Sequence, residues 1–125
     1  MYPENLKYSK EHEWVKVDGS TATIGITSHA QSELGDIVYV ELPKIGANYK
    51  AMQEFGVVES VKTVSTLYCP VSGQVIEVNS GLSSKPEVVN SDPYGQGWMI
   101  KVKMSDRSDL DKLLSASAYE VLLKK

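Results

Sequence analysis

The chain has 125 residues, of which 42% are hydrophobic and 23% charged, and this length allows one domain with a single modest core. Its net charge is −3 with both signs interspersed, and no apolar run approaches the ~20 residues of a membrane span, so we expect neither a nucleic-acid nor a membrane partner. The single cysteine excludes an internal disulfide, and the two histidines, which are not in ligand spacing, argue against a metal site.

The N-terminal residues 1–5 do not have the features of a targeting segment. They have neither the basic and apolar regions of a signal peptide nor the Arg-rich composition of a transit peptide. We therefore expect a bacterial-type cytoplasmic protein, or a mitochondrial one if the source is eukaryotic and the chain is processed.

The first elements in chain order are a hairpin and a short helix. Alternating runs at 13–17 and 21–26 flank an Asp-Gly pair at 18–19, and such a pair between two such runs predicts a β-hairpin. A brief helix follows, with Ser28 as its N-cap and Gly35 at its end.

The centre of the chain predicts a second hairpin. A strand at 36–42 precedes two arms at 50–61 and 64–68, and Lys62 stands between these arms. Pro70 removes a backbone donor directly after the second arm, which places that arm at a sheet edge or at a bend.

The remainder predicts two strands and a helical end. Strands are expected at 73–79 and 97–104, with a loop of Ser, Gly, Asn and Pro at 80–93 between them. The period then changes to a helical one over 105–125, where Ser117 is the expected N-cap of the last helix.

Many short strands with frequent Gly and Pro turns indicate a β-sandwich or barrel. We therefore predict a mainly β fold in one domain over residues 1–125. Its β core spans about 6–104, and its C-terminal helical segment spans about 105–125 and covers one end of the core.

Lys62 is the candidate functional residue. Valine-rich arms that should be buried flank it on both sides, so its amine is expected to be held at the hairpin tip. A solvated ammonium is a poor nucleophile and a poor base, since catalytic lysines need burial or a neighbouring cation. A protruding lysine is better suited to being modified by an enzyme that supplies its own base. Local sequence alone also allows a plain solvated lysine.

Several motifs in order carry a resemblance that covers nearly the whole chain. The chain resembles the H-proteins of the glycine cleavage system, a family of lipoyl carriers. The matching motifs are His12-Glu13-Trp14-Val15-Lys16, Val58-Glu59-Ser60-Val61-Lys62, Pro70-Val71-Ser72-Gly73 and Gly97-Trp98-Met99.

The resemblance implies a flattened barrel-sandwich of two small antiparallel sheets, similar to lipoyl domains, with short helices, notably at the C-terminus. It implies that lipoic acid is attached covalently to Lys62. Glu59 would help the lipoylating enzyme to recognise its target, or would be an ordinary exposed strand acid. Glu13 would contact the aminomethyl-bearing arm, or would form a plain salt bridge.

The resemblance also implies a non-catalytic function. The lipoyl-lysine arm would accept the aminomethyl group from glycine decarboxylase (P-protein) and carry it to the aminomethyltransferase (T-protein). Dihydrolipoyl dehydrogenase (L-protein) would then reoxidise the arm. With the lipoylating enzyme, these are the expected partners of a monomeric carrier.

Three alternatives remain open. An H-like relay would donate lipoyl groups to other complexes and would use the same hairpin. A biotinyl carrier would place its lysine between methionines, whereas Val61 and Thr63 flank Lys62. An enzyme would use Cys69 or a histidine as its nucleophile.

Overall fold

The computed structural model describes residues 2–124, so both ends of the predicted 1–125 domain lie outside the described residues. The described part contains nine strands, three α-helices and two 3₁₀ segments. The strands are β1 (Lys7–Tyr8), β2 (Glu13–Asp18), β3 (Thr21–Ile26), β4 (Ile37–Glu41), β5 (Asn48–Tyr49), β6 (Gln53–Ser60), β7 (Val64–Cys69), β8 (Gly73–Val78) and β9 (Ile100–Met104). The α-helices are α1 (Ser28–Leu34), α2 (Val88–Ser91) and α3 (Ala116–Leu123), and the 3₁₀ segments are Ser80–Ser83 and Arg107–Lys112.

The strands form two antiparallel sheets with a core between them. One sheet has six strands in the order β1-β2-β3-β9-β8-β5, and the other has three in the order β4-β6-β7. Buried side chains of β3 and β9 pack against buried side chains of β4, β6 and β7. Successive side chains of a strand point to opposite faces, so only one face of each strand contributes to this core. The predicted fold of two antiparallel sheets with short helices is confirmed, although the sheets differ in size because the first hairpin adds its strands to one of them.

Two glycines allow strands to approach closely. A Cβ at Gly56 would overlap the Glu41 carbonyl oxygen on β4, and one at Gly73 would overlap the Lys103 carbonyl oxygen on β9. Neither glycine has a positive φ. They therefore serve close backbone approach rather than an unusual backbone conformation.

The C-terminal helix α3 is fixed by aromatic packing. The rings of Tyr8 and Tyr119 stack with centroids 4.8 Å apart, and both side chains are fully buried with Trp14. Such ring pairs add stability beyond the area that they bury. Helix α3 therefore packs against β1 and β2 in a second cluster, apart from the core between the two sheets, and the predicted cover over one end of that core stays a prediction.

Several predicted boundaries were wrong by one to three residues; the arm predicted at 50–61, for example, is a strand only over Gln53–Ser60. The N-cap of α1 is Thr27 and not Ser28, and the N-cap of α3 is Ser115 and not Ser117. In each case the earlier hydroxyl accepts the amide hydrogen three residues on, since it lies where the backbone is still extended. The last strand begins at Ile100 because the amides of Gly97 and Trp98 close turns. No helix among residues 2–124 is long and apolar enough to cross a membrane.

Candidate functional site

Lys62 lies at the tip of the β6–β7 hairpin, and Ser60 forms that tip. The Ser60 amide donates to the Thr63 carbonyl at 2.8 Å. The Ser60 hydroxyl oxygen accepts from the amides of Lys62 and Thr63, each at 3.1 Å. This one side chain therefore holds the backbone of the exposed lysine in a closed turn.

The end of helix α1 supports the hairpin tip. The Val61 amide donates to the Asp36 carbonyl at 3.0 Å. The Lys62 stem lies over Gly35, where a Cβ would come within 3.2 Å of the lysine Cε. Gly35 has a φ of +82° and ends α1, a conformation that favours glycine. The turn thus rests on a neighbouring element and does not project as a free loop.

The arms that flank Lys62 are not buried as predicted. Val61 is 68% exposed and Val64 is 62% exposed, whereas Val58 is fully buried. The prediction was wrong because Val61 stands in the turn itself, and Val64 lies opposite Glu59 on the outer face of the three-stranded sheet. The hydrogen-bonded turn, and not burial of its flanks, positions the lysine.

We expect Ser60→Ala to loosen this turn while the protein stays folded. Two amides lose their side-chain acceptor, and water can replace it, so the cost is about 1 kcal/mol. Amide hydrogen exchange at positions 62 and 63, measured by NMR, should become faster. Ser60→Thr keeps the hydroxyl and should restore protection, and Ser32→Ala, in exposed helix surface, is the control. Unchanged exchange in Ser60→Ala would show that the hydroxyl does not hold the turn.

A cleft of about 200 Å³ lies beside the hairpin, between α1, β2 and β7. Leu34 of its lining directly precedes Gly35, which the Lys62 stem covers. The buried lining residues of the cleft are apolar except for Glu13, and its exposed lining residues are Glu11 and Glu33. Its lining consists of Glu11, His12, Glu13, Ile26, His29, Ala30, Glu33, Leu34, Val58, Ser65, Thr66 and Leu67.

Glu13 is a buried carboxyl in this cleft, with 1% of its surface exposed. It accepts a hydrogen bond from the Ser9 hydroxyl at 2.5 Å and one from the Tyr68 amide at 3.3 Å. Burial raises the pKa of Glu13 to about 8, and the two hydrogen bonds offset this only in part. Within residues 2–124 no lysine, arginine or histidine forms an ion pair with it, so the plain salt-bridge alternative is wrong.

His12 and His29 meet at the rim of the cleft, with ring centroids 4.9 Å apart. The Thr27 hydroxyl accepts from the Ala30 amide at 3.2 Å, so its own hydrogen is available for Tyr119 Oη at 2.8 Å. The Tyr119 hydroxyl also forms a hydrogen bond with His12 Nδ1 at 2.7 Å, and the histidine tautomer sets which of the two atoms donates.

A neutral His12 that accepts from Tyr119 through Nδ1 carries its own hydrogen on Nε2. Desolvation, followed by the proximity of His29, lowers the pKa of His12, which agrees with a neutral ring. The sequence shows only that the two histidines are not in ligand spacing, and it did not predict their contact. In the part of the chain that the structure describes, no three His, Cys, Asp or Glu side chains are grouped to hold a metal.

The two remaining candidates, Glu59 and Cys69, have different surroundings. Glu59 is half-buried on β6, opposite Tyr39 of β4 and Val64 of β7. Cys69 is fully buried, its thiol donates to the Val71 carbonyl at 3.1 Å, and burial raises its pKa to about 12. An enclosed, protonated thiol is inert. The burial and protonation of its thiol therefore argue against Cys69 as a nucleophile.

Sequence reasoning missed Ser60 and the contact between Tyr119 and His12. A local signal existed for Ser60, because a serine two residues before a tip can bond the following amides. No local signal existed for Tyr119, which is 107 residues from His12.

Comparison with known proteins gives a consistent result. The sequence profile described as glycine cleavage H-protein matches residues 6–125. A glycine cleavage system H protein from Symbiobacterium thermophilum is 57% identical over 122 residues, covering 98% of this chain and 95% of that protein. One from Brevibacillus brevis is 60% identical over 123 residues and covers 98% of each. The crystal structure of a glycine cleavage system H protein from Mycobacterium marinum superposes with a TM-score of 0.91 at 38% identity, covering 99% of this chain and 100% of that one.

Proposed function

Because the chain belongs to the glycine cleavage H-protein family and is a lipoyl carrier of the glycine cleavage system, we propose that Lys62 is its point of lipoyl attachment. One observation carries the proposal. Lys62 is an exposed lysine on a turn that Ser60 closes and Gly35 supports, next to a cleft of about 200 Å³. Within the described residues it forms no ion pair, so its amine is available for acylation.

The residues present fit a lipoyl group. Lys62 supplies the amine for an amide bond, and the buried apolar lining residues of the neighbouring cleft suit a hydrocarbon chain. When bound, the lipoyl group supplies a dithiol–disulfide pair that carries the aminomethyl group and two electrons. Lys62 loses its positive charge on acylation, and its turn provides a stiff mount.

Glu13 is proposed to receive the charged end of the arm. An ammonium beside a buried carboxyl favours the ionised form, so Glu13 would release a proton as the ion pair forms. The neutral His12 at the rim adds no repulsion to a cation. The cleft walls would also keep water from the carried group and slow its loss.

The chain is proposed to catalyse no step itself. Cys69 is enclosed and protonated, and His12 is held through Nδ1 by Tyr119. As a glycine cleavage carrier it works with partner proteins. We propose these to be glycine decarboxylase, the aminomethyltransferase, dihydrolipoyl dehydrogenase and the lipoylating enzyme. Tethering raises the local concentration of the carried group at each of them.

Acylation followed by exchange tests this function. The purified chain is incubated with lipoate, ATP and a lipoate–protein ligase, and the adduct is located by intact mass and peptide mapping. The product is then assayed for glycine–bicarbonate exchange with glycine decarboxylase. We expect one adduct, on Lys62, and exchange that depends on it. An adduct elsewhere would contradict the attachment site, and an adduct on Lys62 without exchange would favour the lipoyl relay.

A further inference from the structure

Asn90 of α2 holds the segment that joins α1 to β4 through its side chain. Its Nδ2 donates to the Gly35 carbonyl and to Gln31 Oε1, each at 2.9 Å. Its Oδ1 accepts from the Ile37 amide at 2.8 Å. Both hydrogens of the side-chain amide and one of its two acceptor positions are therefore used. The reverse orientation would place those hydrogens against the Ile37 amide, so the three contacts fix this one.

The attachment turn rests on the segment that Asn90 holds. The two backbone groups bound by Asn90 stand on either side of Asp36. The Asp36 carbonyl accepts from the Val61 amide at 3.0 Å. Gly35 lies under the Lys62 stem, where a Cβ would come within 3.2 Å of the lysine Cε. Asn90 therefore acts on Lys62 through these two neighbouring residues.

The same side chain also holds the wall of the cleft. Helix α1 supplies part of the cleft lining, and Gln31 of this helix accepts from Asn90. Asn90 is itself well anchored, because its neighbour Val89 is fully buried in the core between the sheets. One side chain on a fixed support thus joins the seat of the attachment turn to the cleft wall.

We propose that Asn90 is a positioning residue that sets the place of Lys62 relative to the cleft, and thereby the docking of the loaded arm at Glu13. This inference rests on the proposed function and adds to it a residue outside the cleft lining. A tethered group meets its site only as often as the geometry of the tether allows. Holding Lys62 in one place against the cleft therefore raises the fraction of time in which the carried group is docked and shielded from water.

Loss of the Asn90 hydrogen bonds should affect the docked arm and not the attachment of the lipoyl group. Without them, residues 35–37 lose the support of α2, and the mount of Lys62 becomes more mobile. The amine of Lys62 stays exposed, so an enzyme in solution can still acylate it. The docked arm, in contrast, needs its mount in one position.

The lifetime of the loaded carrier tests the proposal. Asn90→Ala removes all three hydrogen bonds, and Asn90→Asp keeps the size and the acceptor for Ile37 but loses both donated bonds. Each variant is lipoylated, loaded with glycine and glycine decarboxylase, purified, and followed for release of the carried group at pH 7.5. We expect complete lipoylation on Lys62 and release about fivefold faster, the factor to which one hydrogen bond corresponds. Hydrogen exchange of the Val61 amide should also become faster.

Asn79→Ala is the matched control. The Asn79 side chain donates to the Gln96 carbonyl at 2.8 Å and to the Trp98 carbonyl at 2.7 Å, so its removal also breaks hydrogen bonds of an asparagine, but in a different loop. Thermal unfolding should show a similar loss of stability for Asn79→Ala and Asn90→Ala. Only Asn90→Ala should change the release rate, which a purely structural role would not do.

Combination with Glu13→Gln makes the test specific to docking. The position of the mount matters only while the Glu13 carboxyl holds the arm. In the Glu13→Gln background, Asn90→Ala should therefore change the release rate by less than about twofold. Effects that multiply, an unchanged lifetime in both Asn90 variants, or equal acceleration in Asn79→Ala would each overturn the proposal. Absence of lipoylation at Lys62 in the unaltered chain would instead contradict the proposed function.

Discussion

Lys62→Arg is expected to abolish lipoylation completely while the fold and its stability stay unchanged. The guanidinium keeps the positive charge and the long stem over Gly35, but it stays protonated and does not form the amide. The side chain is exposed and forms no ion pair within residues 2–124, so the free energy of unfolding should change by less than about 0.5 kcal/mol. Intact mass after incubation with ligase, lipoate and ATP, together with a thermal unfolding curve, measures both effects.

Lys44→Arg is the matched control, since Lys44 is an exposed lysine in a loop between β4 and β5. It should be lipoylated at the normal rate. An adduct that persists in Lys62→Arg would place the attachment elsewhere. Marked destabilisation of that variant would mean that the lysine has a structural contact, which its exposed position does not indicate.

The fold was largely predictable because its signals are local. The Asp-Gly pair at 18–19 predicted the first hairpin, and the register joins Asp18 to Thr21 as expected. The second hairpin followed from two apolar arms around Lys62. These signals are contained in a few consecutive residues, and antiparallel neighbours in sequence become neighbours in the sheet.

The errors have physical causes that local patterns do not contain. Alternation tells which residues of a strand share a face, but not whether another layer covers that face. Val61 and Val64 were therefore predicted as buried although both are exposed. The cleft depends on contacts between distant segments, such as Glu13 with Tyr68, 55 residues apart. The raised pKa of Glu13 in this cleft could not be predicted from the sequence, because it depends on which distant segments enclose the carboxyl.

Glu13→Gln is expected to change how stability depends on pH. Burial raises the pKa of Glu13 from its ordinary 4.5 to about 8 in the folded protein. Between these values the folded state binds more protons than the unfolded one, so the free energy of unfolding falls as pH rises. At pH 9 the accumulated loss is on the order of 3–5 kcal/mol, since each pKa unit corresponds to ~1.4 kcal/mol. Glutamine does not titrate and removes this slope.

Denaturant unfolding of both proteins from pH 5 to pH 9 measures this difference. The unaltered chain should lose stability relative to Glu13→Gln mainly between pH 5 and pH 8, and the difference should change little from pH 8 to pH 9. The pKa of His12 is lowered in the folded protein, so its titration makes the free energy of unfolding rise with pH, at lower pH values. His12 is present in both proteins, so its contribution largely cancels in the difference between them. Parallel curves would show that the carboxyl is not enclosed.

The same substitution should shorten the lifetime of the loaded carrier. Glu13→Gln keeps the size of the side chain and an acceptor for the Tyr68 amide, but it removes the charge proposed to hold the ammonium. A hydrogen-bonded charge pair contributes about 1.5–3 kcal/mol, so the carried group should be lost about 10 to 100 times faster. The measurement is release of the carried group from the purified loaded form at pH 7.5, with lipoylation checked as normal. Glu11→Gln, an exposed carboxyl at the same cleft, is the control. Equal lifetimes in all three proteins would remove Glu13 from the site, because the cleft walls would then account for the protection without its charge.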